Sequence, residues 1–200
     1  RQRARELAKA AILTGIDHPN VFAQVNTATM DQDIDSVVWP GIHGIVLARV
    51  VSHRDVVSID ERLTSLEDQR GLEPNALRVV VSLDTLHGNH NAMKIASSSR
   101  RLCGITLGRV DLEMDLRPEP SGEIHLMPYL MQRLIIIAKA TELIPLGAWW
   151  RFPARGLLAS PEETYWAAVR GKALGFRGTF CLDGNQVEPI NKGYASISAD

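Results

Sequence analysis

Cysteine is nearly absent from this chain. Its 200 residues include two, Cys103 and Cys181, too few for a disulfide framework. Both fall inside apolar, strand-like runs, where a free thiol is expected to act as a small buried hydrophobe. A reducing, cytoplasmic setting is therefore the default expectation. Excess charge of either sign is also missing: 22 Lys and Arg face 23 Asp and Glu, a formal net charge of −1. Such a balance does not suit broad phosphate neutralisation, so no nucleic-acid partner is expected. Long apolar runs are lacking too. The longest, Leu134 to Ala138, lies between Arg133 and Lys139, far short of the ~18–20 residues that cross a bilayer. No membrane span is expected, and the charged first segment has no apolar signal core. Glycine-rich phosphate loops, Gly-x-Ser-x-Gly elbows and Cys-x-x-Cys pairs do not occur.

What is present is a regular alternation. Helical spacing of Ala4, Leu7, Ala8, Ala11 and Ile12 opens the chain,. Near-continuous apolar runs follow at 21–26, 44–50, 77–84, 102–108, 144–150 and 178–183. Such runs mark parallel strands covered on both faces. Helical patterns separate them, at about 31–38, from Asp60 to Gly71, around 92–98, at about 127–141, and from Ser160 to Gly175. Ser160-Pro161 supplies an N-cap followed by proline at the first helical position. One domain over residues 1–200 is expected, either a barrel or a doubly wound sheet.

Ligands of parallel α/β folds sit at the C-terminal ends of the strands. There the sequence places Gln24 and Asn26, Arg49, Asp84 and Thr85, Gly108 and Asp111, Trp150 and Arg151, and Asp183 with Asn185 and Gln186. Asp84 and Asp111 have two readings. They can cap the helices that follow, or they can share Mg²⁺ with water and substrate oxygens. His87 and His90 have no third ligand at suitable spacing and read as a solvated loop. Arg100-Arg101 reads as a solvated charge pair, and Trp149-Trp150 as filling between barrel and helices.

Several of these segments, in order, match one family. Gly44-Ile45-Val46-Leu47-Ala48-Arg49-Val50 is similar to a fourth-strand pattern, glycine-Ile-Val-Leu-Pro-Lys-Val. Leu83-Asp84-Thr85 with Gly88 and Asn91 resembles the fifth-strand Ile-Glu-Thr with its trailing glycine and asparagine. Leu107-Gly108 with Asp111-Leu112 resembles Phe-Gly-x-x-Asp-Leu of the sixth strand. Val25-Asn26 resembles the end of a third-strand Arg-Val-Asn. Gly175-Phe176-Arg177-Gly178, with Gln186 and Asn191, resembles the closing motif. The chain thus resembles the citrate lyase beta-subunit-like (HpcH/HpaI aldolase) family.

That resemblance implies a (β/α)₈ barrel of which strands three to eight are present, with the first two expected upstream of Arg1. It implies Mg²⁺ on Asp84 and Asp111, and a carbon–carbon lyase acting on an oxoacid or hydroxyacid, free or as a CoA thioester. Substrate contacts would come from Gln24, Asn26, Arg49, Thr85 and Gly108, with Arg49 and Asp183 as catalytic groups. A homo-oligomer, trimer or hexamer, is implied, with residues from about 185 to 200 reaching a neighbour. The chain departs from the family at working positions. Gln24 replaces an arginine, Arg49 a lysine, Asp84 a glutamate, Val51 a glutamate, and Asp183-Gly184 a His-Pro. A barrel that has lost catalysis and serves as a binding or assembly subunit is the alternative expectation. A third is a metal-free enzyme using Arg49 and Asp183.

Overall fold

The computed structural model describes residues 2–14, 20–108, 112, 126–150 and 159–196. Helix α1 (Gln2–Leu13) precedes strand β1 (Phe22–Asn26). Then follow α2 (Met30–Val37), β2 (Gly44–Ala48), α3 (His53–Arg70) and β3 (Arg78–Ser82). Two short helices, α4 (Leu86–His90) and α5 (Ala92–Ala96), lead to β4 (Leu102–Thr106). Helix α6 (Leu126–Ala140), β5 (Ile144–Leu146), α7 (Pro161–Leu174) and α8 (Val187–Ala195) complete the chain.

All four strand pairs are parallel, and the order is β1-β2-β3-β4-β5. A doubly wound sheet would reverse its order at a switch point. This order never reverses, so every right-handed crossover lays its helix on the same side, as in a barrel wall. The burial pattern agrees. Val25, Ile45, Leu47, Val79, Val81 and Ile105 alternate onto one face and join Ile34, Ile59, Leu63, Ile95 and Ile137 from the helices in one core. The opposite, inner face carries Gln24, Val46, Val80 and Gly104 in one row, and Asn26, Ala48, Ser82 and Thr106 in the next. Cys103 is the extra residue of a bulge between β3 and β4, which keeps Gly104 opposite Val80,.

Local chemistry sets the helix limits. The Asp55 carboxylate accepts from the Val51 and Ser52 N–H groups at 2.9 Å and starts α3. Gly71, at φ 65°, ends it in the left-handed region that suits glycine,. Ser160 caps α7 with Pro161 at its first position, as the sequence predicts, and Glu163 completes a reciprocal capping box,.

Four expectations need correction. The sixth strand is reduced to one parallel bridge, Leu146 with Gly178. From Thr179 the chain leaves the sheet, so Cys181 and Leu182 are exposed. Cys103 is only half-buried. Residues 87–90 belong to helix α4, in which Gly88 and Asn89 are buried. Arg101 is 2% exposed. Its guanidinium meets both Glu67 oxygens at 2.7 Å, Asp60 at 2.7 Å and the Thr64 hydroxyl at 2.9 Å. A buried arginine needs such partners, and they come from α3, which is distant in sequence.

Candidate functional site

Asp84 stands two residues past β3, on the inner face with Val80 and Ser82, and is 4% exposed. One carboxylate oxygen, Oδ2, accepts from the Arg49 N–H at 2.7 Å. The other, Oδ1, accepts from the Ser82 hydroxyl. Gly108 closes the arrangement from β4. A Cβ at Gly108 would lie 1.9 Å from Asp84 Oδ1, so only glycine lets the two strand ends meet here.

Arg49 leaves β2 with φ 61° and is exposed at the rim. A residue with a Cβ rarely adopts this conformation, and such departures concentrate at functional sites. Thr85 is buried at 8%. Its hydroxyl donates to the Val50 carbonyl at 3.3 Å and accepts from the Gly88 N–H at 2.9 Å. Asn89 donates to the Leu83 and Thr85 carbonyls at 3.1 and 2.9 Å, bracketing Asp84.

The structure therefore unites Arg49, Asp84, Thr85 and Gly108. Gln24 and Asn26 line a groove of about 460 Å³ with Ala4, Arg5, Thr29 and Asp33. There Arg5 and Thr29 hold the Asp33 carboxylate. Burial pushes Asp33 up, but these hydrogen bonds win and leave it below its ordinary value,. Asn26 also accepts from the Ala28 N–H at 3.0 Å. Asp183 caps the turn Gly184–Gln186, accepting from the Asn185 N–H at 2.8 Å. Asp111 and Arg151 lie outside the described residues. Ser82 and Asn89 escaped the sequence reading. Ser82 was accessible to it, because a residue two before Asp84 on a strand shares its face.

Among the described residues, no group of three or more His, Cys, Asp or Glu could hold a metal ion. Mg²⁺ does not need such a group. One or two carboxylates suffice, with water and substrate oxygens completing the octahedron. Among the described residues each Asp84 oxygen accepts one hydrogen bond, and a carboxylate oxygen has two acceptor directions. The donor type and its place at the rim fit Mg²⁺. Also among the described residues, no helix is long and apolar enough to cross a membrane.

The model of the HpcH/HpaI aldolase/citrate lyase family matches residues 3–183. The chain belongs to this family. It is 24% identical over 208 residues to citrate lyase subunit beta of Haemophilus influenzae, covering 99% of this chain and 69% of that protein. It is 27% identical over 201 residues to citrate lyase subunit beta of Escherichia coli, covering 96% and 65%. The chain thus spans about two thirds of the length of these relatives. Its fold is that of the citrate lyase beta subunit of Mycobacterium tuberculosis complexed with oxaloacetate and magnesium. That match has a TM-score of 0.70 at 18% identity, over 94% of this chain and 79% of that one. Haloferax volcanii malate synthase, in a pyruvate/acetyl-CoA complex, matches with a TM-score of 0.79 at 20% identity, over 99% and 58%. The (β/α)₈ barrel type is shared with both.

Proposed function

We propose that this family member is a carbon–carbon lyase that takes an oxoacid or hydroxyacid, free or as a CoA thioester, at the rim formed by Arg49, Asp84 and Gly108. The observation that carries the reading is the Asp84 carboxylate. It is fixed at the inner C-terminal edge of the sheet, where Gly108 gives it room. The named complex of a structural neighbour with oxaloacetate and magnesium supports the same substrate class.

Asp84 and Asp111 would hold Mg²⁺. Bound there, the ion would polarise a carbonyl and stabilise developing enolate charge. Arg49 brings a planar, permanently charged donor set to the substrate carboxylate. Asn26 and Thr85 shape the rim, through turns that their side chains cap. Gln24 offers hydrogen bonds without charge. Titration calorimetry of Mg²⁺ or Mn²⁺, with Asp84→Ala and Asp111→Ala as controls, tests the reading. Equal binding by the variants, or none by the parent chain, would sink it. Cleavage of malyl-, citramalyl- or citryl-type thioesters tests the chemistry.

A second reading, a binding or assembly subunit without catalysis, is favoured by one observation. Both Asp84 oxygens and one Asp183 oxygen already serve backbone or hydroxyl donors of their own chain. Any measurable thioester cleavage would remove that reading.

A further inference from the structure

The backbone around Arg49 is tied down to an extent that its exposed position does not require. Its N–H goes to Asp84 Oδ2 at 2.7 Å. Its carbonyl accepts from the Thr27 hydroxyl at 3.3 Å. The Val50 carbonyl accepts from Thr85 at 3.3 Å, and the Val51 carbonyl from Asn91 Nδ2 at 3.0 Å. Gly88 presses on the same turn, since a Cβ there would stand 2.2 Å from the Val50 oxygen. These contacts come from the turn after β1 and from the strand end, helix α4 and helix cap after β3, and they converge on Arg49, held at φ 61°.

We infer that Thr27, Asp84, Thr85 and Asn91 form a clamp that holds Arg49 in the left-handed region, so that Asp84 is a positioning residue for Arg49 whether or not it also holds a cation. Released from the clamp, Arg49 would relax to an ordinary backbone conformation and carry its guanidinium elsewhere. A carboxylate two atoms from its Cα, rather than the longer glutamate of the family pattern, suits this work. It reaches the neighbouring peptide while staying inside the strand end. That Arg49 then receives the substrate carboxylate rests on the proposed function; the clamp itself does not.

Full-length chains carrying Arg49→Ala or Arg49→Gly, in each of three backgrounds, test the clamp by urea unfolding. Glycine is free of the left-handed penalty that alanine bears. With Asp84 intact, Arg49→Gly should unfold with an equilibrium constant about five- to tenfold smaller than Arg49→Ala. Asp84→Asn keeps an oxygen acceptor for the residue-49 N–H, so the gap should persist. Asp84→Ala should collapse it towards one. A gap that survives Asp84→Ala, or is missing in the parent background, overturns the clamp. If Asp84→Ala does not fold, Asn91→Ala supplies the same comparison, and an undiminished gap there counts equally against it.

A second readout separates positioning from metal binding. Oxaloacetate titrated in EDTA should bind more weakly to Asp84→Ala than to Asp84→Asn. Loss in both variants alike, or in neither, assigns Asp84 no positioning role. Failure of the parent chain to take up either Mg²⁺ or oxaloacetate would defeat the proposed function, and the unfolding comparison would still judge the clamp.

Discussion

Among the described glycines, Gly108 leaves the least room for a side chain. Gly108→Ala places a methyl group inside the Asp84 carboxylate. We expect a loss of about 1–3 kcal/mol of stability from the forced repacking. Weakened Mg²⁺ uptake in calorimetry should accompany it; unchanged uptake would show that Asp84 is not the ligand. At the other end of the strands, Arg101→Ala leaves Glu67 buried without its partner. Breaking such a pair costs about 3–5 kcal/mol, readable by urea unfolding, whereas Arg101→Met with Glu67→Leu should restore much of it. Glu67 also sets an acid limit. Burial pushes its carboxyl up, but Arg101 and the Leu77 and Asn75 N–H groups outweigh burial and hold it below its ordinary value,. The unfolded chain therefore binds the proton more readily. The stabilisation is present above the ordinary glutamate value and is lost as pH falls through the lower folded one. Unfolding free energies followed from about pH 5 to about pH 3 should fall more steeply for the parent than for Glu67→Gln.

Among the elements, α7 and α8 pack closely against each other at Gly193. A Cβ on Gly193 would lie 2.6 Å from the Ala168 Cβ and 2.8 Å from the Tyr165 carbonyl. One residue further on, the Tyr194 hydroxyl donates to the Gly147 and Gly178 carbonyls, which tie β5 to the one bridge beyond it. Burial pushes that phenol up. Gly193→Ala should therefore move α8 off α7 and release Tyr194, at a cost of about 1–3 kcal/mol. A red-shifted or quenched tyrosine signal without loss of stability would contradict this. Ile190 and Gly193 of α8 are buried within their own chain; contact of the segment from about 185 to 200 with a neighbouring subunit is a proposal that sizing by light scattering, with and without that segment, can test.

For the molecule as a whole, the sheet is not equally secure across its width. Strands β2 and β3 each have a partner on both sides, while β1 pairs only with β2 among the described residues. Ile45, Leu47 and Val81 have no exposed surface, whereas Phe22 and Ile144 are 37% and 50% exposed. Opening free energies follow such burial. Amide exchange should be slowest at Ile45, Leu47 and Val79–Val81 and faster along β1 and β5; uniform protection would show a cooperative sheet instead.

The sequence by itself determined the alternation, the parallel sheet and the family. Continuous apolar runs, capping residues such as Ser160 and Glu163, and ordered motifs are all local signals, and each is written within a few residues of chain. It also determined that Asp84, Gly108 and Arg49 share one rim, since strand ends carry the ligand in folds of this kind. Only the tertiary structure decided what those residues do to one another. Arg49 turns left-handed because an aspartate 35 positions later accepts its N–H. Arg101 is buried because Glu67 and Asp60 come to it from α3. The sixth strand shrinks to one bridge, because parallel pairing needs a neighbour along its whole length and Leu146 is the last residue of β5. Partners of this kind are set by packing between distant segments, which no window along the chain contains.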